Sequence, residues 1–502
     1  ADYIVAKKAS FPPYSGKYRA IDGGGNHRRH TFLGQGGRGY ACNEPFALPS
    51  YSLPDPDEMQ RDLQMRVAFR AAPWGINSLA GWFANIAIHE FFRSATRRDA
   101  PGGTEKPWVN LHSSYLDLQT LYGYSQEILD SIREFQGGRI TRVADDRLVN
   151  RVHESHVILK LLLLEHNWVC AQLAARYPEA FDTDEKLFQQ ARCIMGGVFI
   201  NLVQRQYGDA LFGENAPDGK GFAELRNDYG WWPSVGSSQD VGNHATLCFN
   251  LIYRWHTTIP QEWTSGVGRR PIETEDEMRA MLTEMLGWES GGFGPNNMPE
   301  EMFRHVVVPA ATVRDARKCG APRLNDFRRR FAAPYTSFLD MCGSQELADR
   351  LAGCYRSVED VELSVGLQIE KCATGGFSLG STTHGAIIFD ALNSIRQDRF
   401  YTSDYTPELY TDWGFAHTKS TNLVDLLNRH LDMGLDRNMM LSRLPSWKGV
   451  NRWSDLRGFP ANAIRSEIVR AIPSLGGNPF DDRGFPILRQ RAGDLVPPSE
   501  IV

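Results

Sequence analysis

Helical periodicity, with almost no strand-like alternation, is the feature that most constrains how this chain can fold. From about residue 59 onward, apolar residues recur at helical spacing. The pattern predicts helices at 59–71, 78–95, 124–136, 151–177, 184–208, 243–257, 275–287, 299–305, 324–330, 345–353, 384–396 and 421–432. Helices that follow one another without intervening strands must bury their apolar surface against other helices. We therefore expect a mainly α fold with few short strands.

The distribution of these helical patterns predicts three segments. Residues 1–58 are rich in Gly, Pro and basic residues, which indicates an irregular N-terminal arm. Residues 59–435 carry the helical patterns, and no linker of distinct composition divides them, so a single large domain is expected. Residues 436–502 are expected to form a C-terminal extension that packs on the same domain.

Composition argues against several classes of protein. A formal net charge of −5 over 502 residues gives no electrostatic reason to expect nucleic acid as a partner. The eight Cys form no CxxC pair and several lie in apolar runs, which favours buried thiols over a disulfide framework. The N-terminal residues have no apolar stretch typical of a signal peptide, and the apolar run VILKLLLL (157–164) contains a Lys and is short for a membrane span. We expect a cytoplasmic protein, or one bound peripherally to a membrane.

The segment FNLIYRWHTTIP (249–260) places Tyr253 and His256 three positions apart, near the end of a helix-like run. One interpretation is a packed core helix with an incidental histidine. The other is a metal ligand with a redox partner one helical turn away. In GWFANIAIHEFFRS (81–94), Asn85 and His89 share a helix face. Two apolar helices with one His each suit a haem that is bound between them. The chain has 13 His, however, so accidental pairs of this kind are common. Spacing alone therefore leaves both interpretations open.

Further segments resemble the animal-type haem peroxidase superfamily, in its cyclooxygenase and fatty-acid dioxygenase branch. The string Tyr-Arg-Trp-His at 253–256 is similar to that of fungal dioxygenases of the linoleate diol synthase and psi-factor-producing type. Other similar segments follow in the same order: SSYLDLQTLYGYS (113–125), LLLLEHNWVCAQL (161–173), LFQQARCIMGGVFINLV (187–203), VELSVGLQIEK (361–371) and DRFYTSDYTPELYTDWGF (398–415). The resemblance spans roughly 80–415 and implies a helical, cyclooxygenase-like haem peroxidase domain.

The resemblance implies haem b as cofactor and peroxide as its activator. His256 is expected to be the proximal ligand of the iron, and His89 the distal histidine that moves the proton of bound peroxide. Tyr253 is expected to become a radical that abstracts hydrogen from an unsaturated fatty acid, to which O₂ adds to give a hydroperoxide. Asn85 stands where cyclooxygenases have a distal Gln, and its amide is expected to hydrogen-bond bound peroxide or water.

Two arginines are candidates for contacts with the haem propionates. Arg254 follows the tyrosine in the motif, and the alternative for it is a surface position. Arg192 matches an arginine on the helix beneath the haem, and the alternative for it is a structural role.

The resemblance also implies a Ca²⁺ site, because members of the superfamily bind this ion with a loop of hard oxygen ligands. The matching positions here are Glu90, Ser113, Tyr115 through its carbonyl, Asp117 and Gln119. Two of these depart from the usual pattern, since Gln119 stands where a Ser is usual and Glu90 where an Asp is usual. The alternative is a loop that is held by its own hydrogen bonds.

Two further stretches bear on the substrate. TVRDARKCGAPRLNDFRRRF (312–331) is similar to the peroxidase motif that contains the Asn partner of the proximal histidine, but Thr312 takes that position. A Thr is a weaker partner for the imidazole N–H, which weakens the interpretation as a halide-oxidising peroxidase. Ser378 falls where cyclooxygenases have their channel Ser, so Phe377, Ser378 and Leu379 are predicted to line a fatty-acid tunnel.

Three functions follow, in order of preference. The first is a haem fatty-acid dioxygenase whose partners are an unsaturated fatty acid and O₂. The second is a peroxidase that oxidises small phenols or halides, in which Tyr253 is only structural. The third is an adhesion or scaffold protein with a peroxidase fold, against which the retained histidines and tyrosine argue. Weak association with a membrane surface and the oligomeric state stay open.

Overall fold

A computed structural model of the chain describes residues 16–41, 52–72, 76–95, 106–212, 243–261, 272–299, 308–330, 332–372 and 376–435. The predicted C-terminal extension at 436–502 lies outside the described residues, as does most of the helix predicted at 299–305. The fold of the described residues is mainly α with one small sheet, which confirms the predicted fold class.

Nineteen α-helices account for most of the described residues. They are Pro56–Met59 (α1), Ser78–Phe91 (α2), Gln119–Tyr122 (α3), Gln126–Ile132 (α4), Asp146–Arg151 (α5), His153–Arg176 (α6), Asp184–Leu202 (α7), Gly208–Phe212 (α8), Leu247–Ile252 (α9), Glu275–Gly287 (α10), Val308–Lys318 (α11), Leu324–Arg328 (α12), Phe338–Cys342 (α13), Gln345–Cys354 (α14), Leu363–Ile369 (α15), Ser381–Arg396 (α16), Pro407–Tyr410 (α17), Asp412–Ser420 (α18) and Leu423–Leu431 (α19). Short π-helical segments, Gln60–Gln64 and Val203–Tyr207, continue α1 and α7, and 3₁₀ turns are formed by His256–Thr258, Val358–Asp360 and Arg399–Tyr401.

Helices α6 and α7 form the centre of the molecule. Both are buried over most of their length, and they pack against each other, with α2 on one side of α6 and α18 on α7. A helix that is apolar around most of its circumference has to be enclosed in this way. Among the described residues, α6 is also the helix that is long and apolar enough to cross a membrane, but 61% of that window is buried by the rest of the protein, as in a core helix.

The N-terminal arm is irregular where it is described, and it packs on the helical body. Its strand Arg38–Gly39 (β1) pairs antiparallel with Lys106–Asn110 (β3), which pairs on its other side with Ser94–Ala95 (β2). Gly34 has a φ of +76°, and a Cβ there would lie 2.2 Å from the ring of Tyr115. The arm therefore approaches the body more closely than a side chain would allow.

Helix bounds agree with the sequence prediction best where caps are strong. The helix predicted at 275–287 is found at those bounds, because Thr274 and Glu277 form a reciprocal capping box. The helix predicted at 59–71 is wrong beyond Gln64, where the chain becomes extended at Met65. The helix predicted at 243–257 ends at Ile252, which changes how the catalytic motif is presented.

Candidate active site

A cavity of about 640 Å³ lies between α2, the segment after α9, and α11. Both histidines singled out in the sequence, His89 and His256, line this central cavity. Asn85 lies on the same wall as His89, one helical turn away, and Thr312 of α11 also lines the cavity. The volume is in the range of cofactor-binding sites in proteins. The fold thus brings together residues that are more than 160 positions apart in the chain.

His89 is held in one orientation by its own helix. Its Nδ1 lies 2.7 Å from the backbone carbonyl of Asn85, which can only accept, so Nδ1 carries the hydrogen and Nε2 is left as an acceptor. Burial, and then the charge of Arg147, lower the pKa of His89 to about 4. The ring is therefore neutral at physiological pH, and its Nε2 is the atom that can accept a proton.

Tyr253 and His256 do not share a helix, contrary to the sequence prediction. Helix α9 begins after the Thr246 cap and ends at Ile252, so Tyr253 is its C-cap residue and His256 opens the following 3₁₀ turn. The indole N–H of Trp255 donates to the carbonyl of Ile252 at 2.9 Å and fixes this change of direction. The turn, rather than a helix face, presents His256 to the central cavity.

His256 is suited to metal ligation. Burial lowers its pKa to about 3, with smaller contributions from the charges of Arg254 and His89. An imidazole that is neutral at physiological pH keeps a lone pair for a metal. The amide of Gln368 donates to the carbonyl of Arg254 at 3.1 Å and steadies the segment before the turn.

Tyr253 forms part of the wall between two cavities. It lines the central cavity and also an apolar pocket of about 30 Å³ on its other side. Its ring stacks on Trp255 at 5.1 Å and meets Phe249 edge-on at 4.8 Å. Burial raises the pKa of its hydroxyl well above the ordinary value, so the group stays protonated. A protonated phenol in an aromatic wall can supply a hydrogen atom to either side.

The apolar pocket differs from the tunnel predicted in the sequence. It is lined by Ala87, Phe91, Leu116, Val203, Tyr207, Gly208, Leu211, Tyr253, Ile387, Ala391 and Ile395. Phe377, Ser378 and Leu379 are not among the described residues that line it, or that line the central cavity. Phe377 instead packs behind Trp255, with ring centroids 6.1 Å apart. The pocket-lining residues of α16, Ile387, Ala391 and Ile395, escaped sequence analysis because their spacing is that of any core helix.

The rim of the central cavity is basic. Its charged lining consists of Arg93, Arg147, Arg151 and Arg254 against Asp146 and Asp315. Arg254 donates to Asn250, while its Nε is buried and has no hydrogen-bond partner among the described residues. A buried unpaired guanidinium N–H favours a carboxylate ligand at this point.

Arg192 does not face the central cavity. It donates to the backbone carbonyls of Arg19 and Ala20, at 2.9 and 3.3 Å, and so ties the N-terminal arm to α7. Of the two alternatives left by the sequence, its contacts are those of a structural residue.

An ion cluster at the end of α2 escaped sequence analysis. Arg147 donates to the carbonyl of Phe92 at 2.8 Å and to that of His89 at 3.3 Å, and its other contacts are with Asp145. Arg93 pairs with Asp146 at 2.9 Å. These bonds satisfy carbonyls at the end of the helix and fix the position of His89. The acidic pair 145–146 carried no motif that could have identified it.

Asn85 has its side-chain oxygen engaged. The hydroxyl of Ser155 on α6 donates to Asn85 Oδ1 at 3.0 Å, and also contacts the carbonyl of Trp82 at 3.0 Å. The Ser155 hydroxyl has one hydrogen for these two acceptors, so the Asn85 amide keeps both donor and acceptor capacity towards the central cavity that it lines.

The residues predicted to bind calcium do lie together. The backbone N–H of Ser113 donates to Gln119 Oε1 at 2.8 Å, and the Ser113 hydroxyl donates to Asp117 Oδ2 at 2.9 Å. The carboxyl of Glu90 accepts from the N–H groups of Gln119 and Thr120, at 2.8 and 3.0 Å, and from the Thr120 hydroxyl.

The loop is held by its own hydrogen bonds, which is the alternative to a calcium site that the sequence left open. Most of its side-chain oxygens already accept from protein donors, whereas calcium needs six to eight free oxygens around one point. The loop as folded does not fit a calcium ion.

The central cavity, by contrast, fits a haem. It offers two neutral imidazoles, a basic rim with an unpaired buried donor for carboxylates, and a volume of about 640 Å³. His256 is the candidate ligand, with His89 free to act on what binds the iron.

Comparison with known sequences agrees with this geometry. The chain is 28% identical over 477 residues to "Psi-producing oxygenase A" of Aspergillus fumigatus, covering 81% of this chain and 43% of that protein. It is 29% identical over 482 residues to "7,8-linoleate diol synthase" of Pyricularia oryzae, covering 82% of this chain and 40% of that protein. The chain thus spans less than half the length of these curated relatives.

Solved structures share the fold. A fatty acid alpha-dioxygenase of Oryza sativa superposes with a TM-score of 0.66 at 20% identity, over 84% of this chain and 86% of that one. Peroxidase A of Dictyostelium discoideum gives a TM-score of 0.66 at 16% identity, over 83% of this chain and 98% of that one. Identities this low establish similarity of fold alone.

The family follows from the sequence itself. The model of the animal haem peroxidase family matches residues 141–440, which is more than half of the chain and includes Tyr253, His256 and Thr312. The chain belongs to the animal haem peroxidase family.

Proposed function

We propose that this chain is a haem-dependent fatty-acid dioxygenase in which Tyr253 connects the haem to the substrate. The observation that carries the proposal is the position of Tyr253 in the wall between the central cavity and the apolar pocket. A peroxidase that oxidises small molecules at the haem needs no such residue. A radical enzyme needs a side chain that reaches both compartments.

Haem would be held by His256 through its neutral imidazole and by Arg254 at a propionate. When bound, haem supplies the one-electron oxidant that peroxide activates. His89 takes up the proton of peroxide at Nε2, because its Nδ1 hydrogen is committed to the Asn85 carbonyl. Asn85, which lines the same cavity as His89, donates from its amide nitrogen to bound peroxide or water.

Tyr253 performs the step on substrate. Its hydroxyl gives up one electron and one proton to the oxidant that bound haem would supply, and the resulting radical takes a hydrogen atom from a carbon of the fatty acid. The O–H bond is thereby restored and the C–H bond is broken. O₂ adds to the carbon radical to give a peroxyl radical, which takes the hydrogen atom back from the Tyr253 O–H, so that the hydroperoxide forms and the tyrosyl radical is regenerated. The aromatic packing of Phe249 and Trp255 keeps water from the tyrosine.

The substrate class is supported by two observations. The pocket beyond Tyr253 is almost wholly apolar, and two of the proteins named above, the 7,8-linoleate diol synthase and the fatty acid alpha-dioxygenase, have names that state a fatty-acid substrate. The pocket of about 30 Å³ has room for roughly two water molecules. Binding of an acyl chain therefore requires the side chains of α8 and α16 to move apart.

Calcium is not part of the proposed function. The loop oxygens that would bind it are engaged with protein donors, as described above. Association with a membrane surface, from which a fatty acid could be taken, is compatible with the proposal but is not needed by it.

The proposal is tested by oxygen uptake with linoleate in the Tyr253→Phe variant. We expect uptake to fall to background while the Soret band is retained, because Phe fills the same space but has no hydrogen atom to give. Tyr177→Phe is the control, since the Tyr177 hydroxyl only accepts a bond of 3.4 Å from the Trp413 N–H, remote from the cavity lining. Uptake that survives Tyr253→Phe would overturn the radical mechanism.

The same variant separates the dioxygenase from a peroxidase of small phenols or halides. Peroxide-dependent oxidation of a phenol such as guaiacol should persist in Tyr253→Phe, because it depends on His89 and His256 alone. If wild type oxidises phenols or halides but takes up no oxygen with fatty acids, the peroxidase function replaces the proposed one.

A further inference from the structure

The loop that resembles a calcium site lies against two buried arginines. Arg19 of the N-terminal arm pairs with Asp398, whose carboxylate oxygens lie 2.8 and 2.9 Å from Arg19 Nη2. Its guanidinium also lies over the rings of Phe400 and Tyr401, at 4.5 and 5.1 Å. Planar stacking with an ion pair is an arrangement that Arg adopts when it is buried.

Arg192 holds the backbone at Arg19 in place through hydrogen bonds. It donates to the Arg19 and Ala20 carbonyls, and so fixes the arm backbone at the point where the Arg19 side chain enters the body. Both arginines are close enough to Asp117 to stabilise its negative charge, which partly offsets the effect of burial on the Asp117 pKa. The carboxylate of the loop thus faces two cations that the chain itself supplies.

A small cavity joins these groups. It measures about 20 Å³ and is lined by Arg19, Arg192, Asp117 and Tyr401, among others. Asp117 Oδ1, Arg19 Nη1 and Arg192 Nε are buried and have no protein partner among the described residues. A cavity of this size accommodates about one water molecule, which could bridge these donors and the acceptor.

The charged groups that line the small cavity, taken with the ion-pair partner of Arg19, sum to no net charge without a metal. Asp117 and Asp398 contribute two negative charges, and Arg19 and Arg192 contribute two positive charges. A calcium ion added here would bring two further positive charges into a buried site, where unpaired charge is costly. It would also have to displace the protein donors on Glu90 and Asp117.

We propose that Arg19, supported by Arg192, takes the place of a calcium ion in this chain. The guanidinium neutralises Asp117 and holds the 113–119 loop, which in turn positions α2 through the bonds between Glu90 and residues 119–120. The N-terminal arm delivers this guanidinium to the loop. This inference does not depend on the substrate or on the radical mechanism.

The first experiment measures calcium directly on the full chain. We expect elemental analysis to find far less than one calcium per chain, and the thermal midpoint to be the same in EDTA and in millimolar CaCl₂. One tightly held calcium per chain, or a midpoint that falls in EDTA and recovers with calcium, would overturn the proposal.

The second experiment is a double-mutant cycle between Arg19 and Asp117. Arg19→Gln should lower the thermal midpoint by several degrees, and the double variant with Asp117→Asn should lose less than the sum of the single variants, because the second change removes the carboxylate left unpaired. Arg28→Gln is the matched control on the same arm, since its ion pair with Asp404 is exposed. Additive losses would contradict the proposed coupling.

A variant that keeps the positive charge at position 19 provides a test that does not depend on whether Arg19→Gln folds. Arg19→Lys retains the cation and should give a midpoint between those of wild type and Arg19→Gln. If Arg19→Lys is no more stable than Arg19→Gln, then stacking rather than charge explains the residue and the proposal fails.

Discussion

At the scale of single residues, His89 shows how a local bond sets chemical behaviour. A helical histidine that donates to the carbonyl four residues back has one nitrogen occupied and one free. The orientation follows from helix geometry, because residues four apart lie on one face. The helix does not determine which residue shares the central cavity with His89. Here that residue is His256, which opens a 3₁₀ turn.

Replacing His89 should separate haem binding from activation of peroxide. His89→Ala is expected to retain the Soret band, because His256 is the proposed ligand, and to lose roughly 100- to 10,000-fold in peroxide-dependent activity. Stopped-flow absorbance after mixing with peroxide gives the rate. His30→Gln, a change on the N-terminal arm away from the cavity lining, is the control and should leave that rate unchanged. Loss of the Soret band in His89→Ala would instead make His89 a ligand.

At the scale of elements, a buried carboxylate joins three helices. Glu165 of α6 accepts from His417 of α18 at 2.8 Å, and from Arg429 and His430 of α19 at 2.6 Å. Burial acts to raise its pKa, but the hydrogen bonds from both histidines and the charge of Arg429 outweigh it and lower the pKa to about 2. The amphipathic helix α19 is thus held against the body by its buried leucines and by the bonds from Arg429 and His430 of its last turn to Glu165.

This cluster should make the fold sensitive to acid. A carboxyl with a pKa of about 2 in the folded chain and 4.5 as the reference contributes stability above pH 4.5, and that contribution is lost as the pH falls towards 2. The shift corresponds to roughly 3 kcal/mol. Circular dichroism during acid titration should show that Glu165→Gln loses this part of the pH dependence, whereas Glu346→Gln, on an exposed face, keeps it. A wild-type acid transition that Glu165→Gln leaves unaltered would count against the assignment.

Elements also show where sequence patterns are sufficient. Helix α10 was predictable because a capping box defines its start. Helix α11, which carries Thr312, was not predicted as a helix, and α9 was predicted too long because apolar residues continue past Ile252. Helical periodicity cannot locate that end, since the bond from the Trp255 indole to Ile252 depends on the turn itself.

At the scale of the whole molecule, the N-terminal arm is part of the body. Tyr40 illustrates this, since its hydroxyl bonds to Ser94 at 2.8 Å and to Asn250 at 2.9 Å, two residues that line the central cavity. Composition gave no indication of these contacts, because they join residues that are remote in the chain.

Two glycines of the arm provide a matched test of its docking. Gly34 and Gly37 have φ of +76° and +77°, but a Cβ on Gly34 would meet the Tyr115 ring, whereas nothing lies within 4 Å of one on Gly37. Gly37→Ala should cost about 1 kcal/mol through backbone strain alone. Gly34→Ala should cost about 3 kcal/mol or more, because overpacking is added. Urea denaturation measures both, and equal losses would show that the arm is not docked as described.

The sequence by itself determined the fold class and the family, and it predicted His89, Tyr253 and His256 as the residues concerned with chemistry. It could do so because helical periodicity and short motifs such as Tyr-Arg-Trp-His are local, and local patterns survive in one dimension. Only the tertiary structure decided that Tyr253 separates two cavities, that Arg192 supports the arm, and that the loop at 113–119 faces Arg19. These properties depend on distances between residues that are remote in the chain, which packing fixes and spacing along the sequence does not.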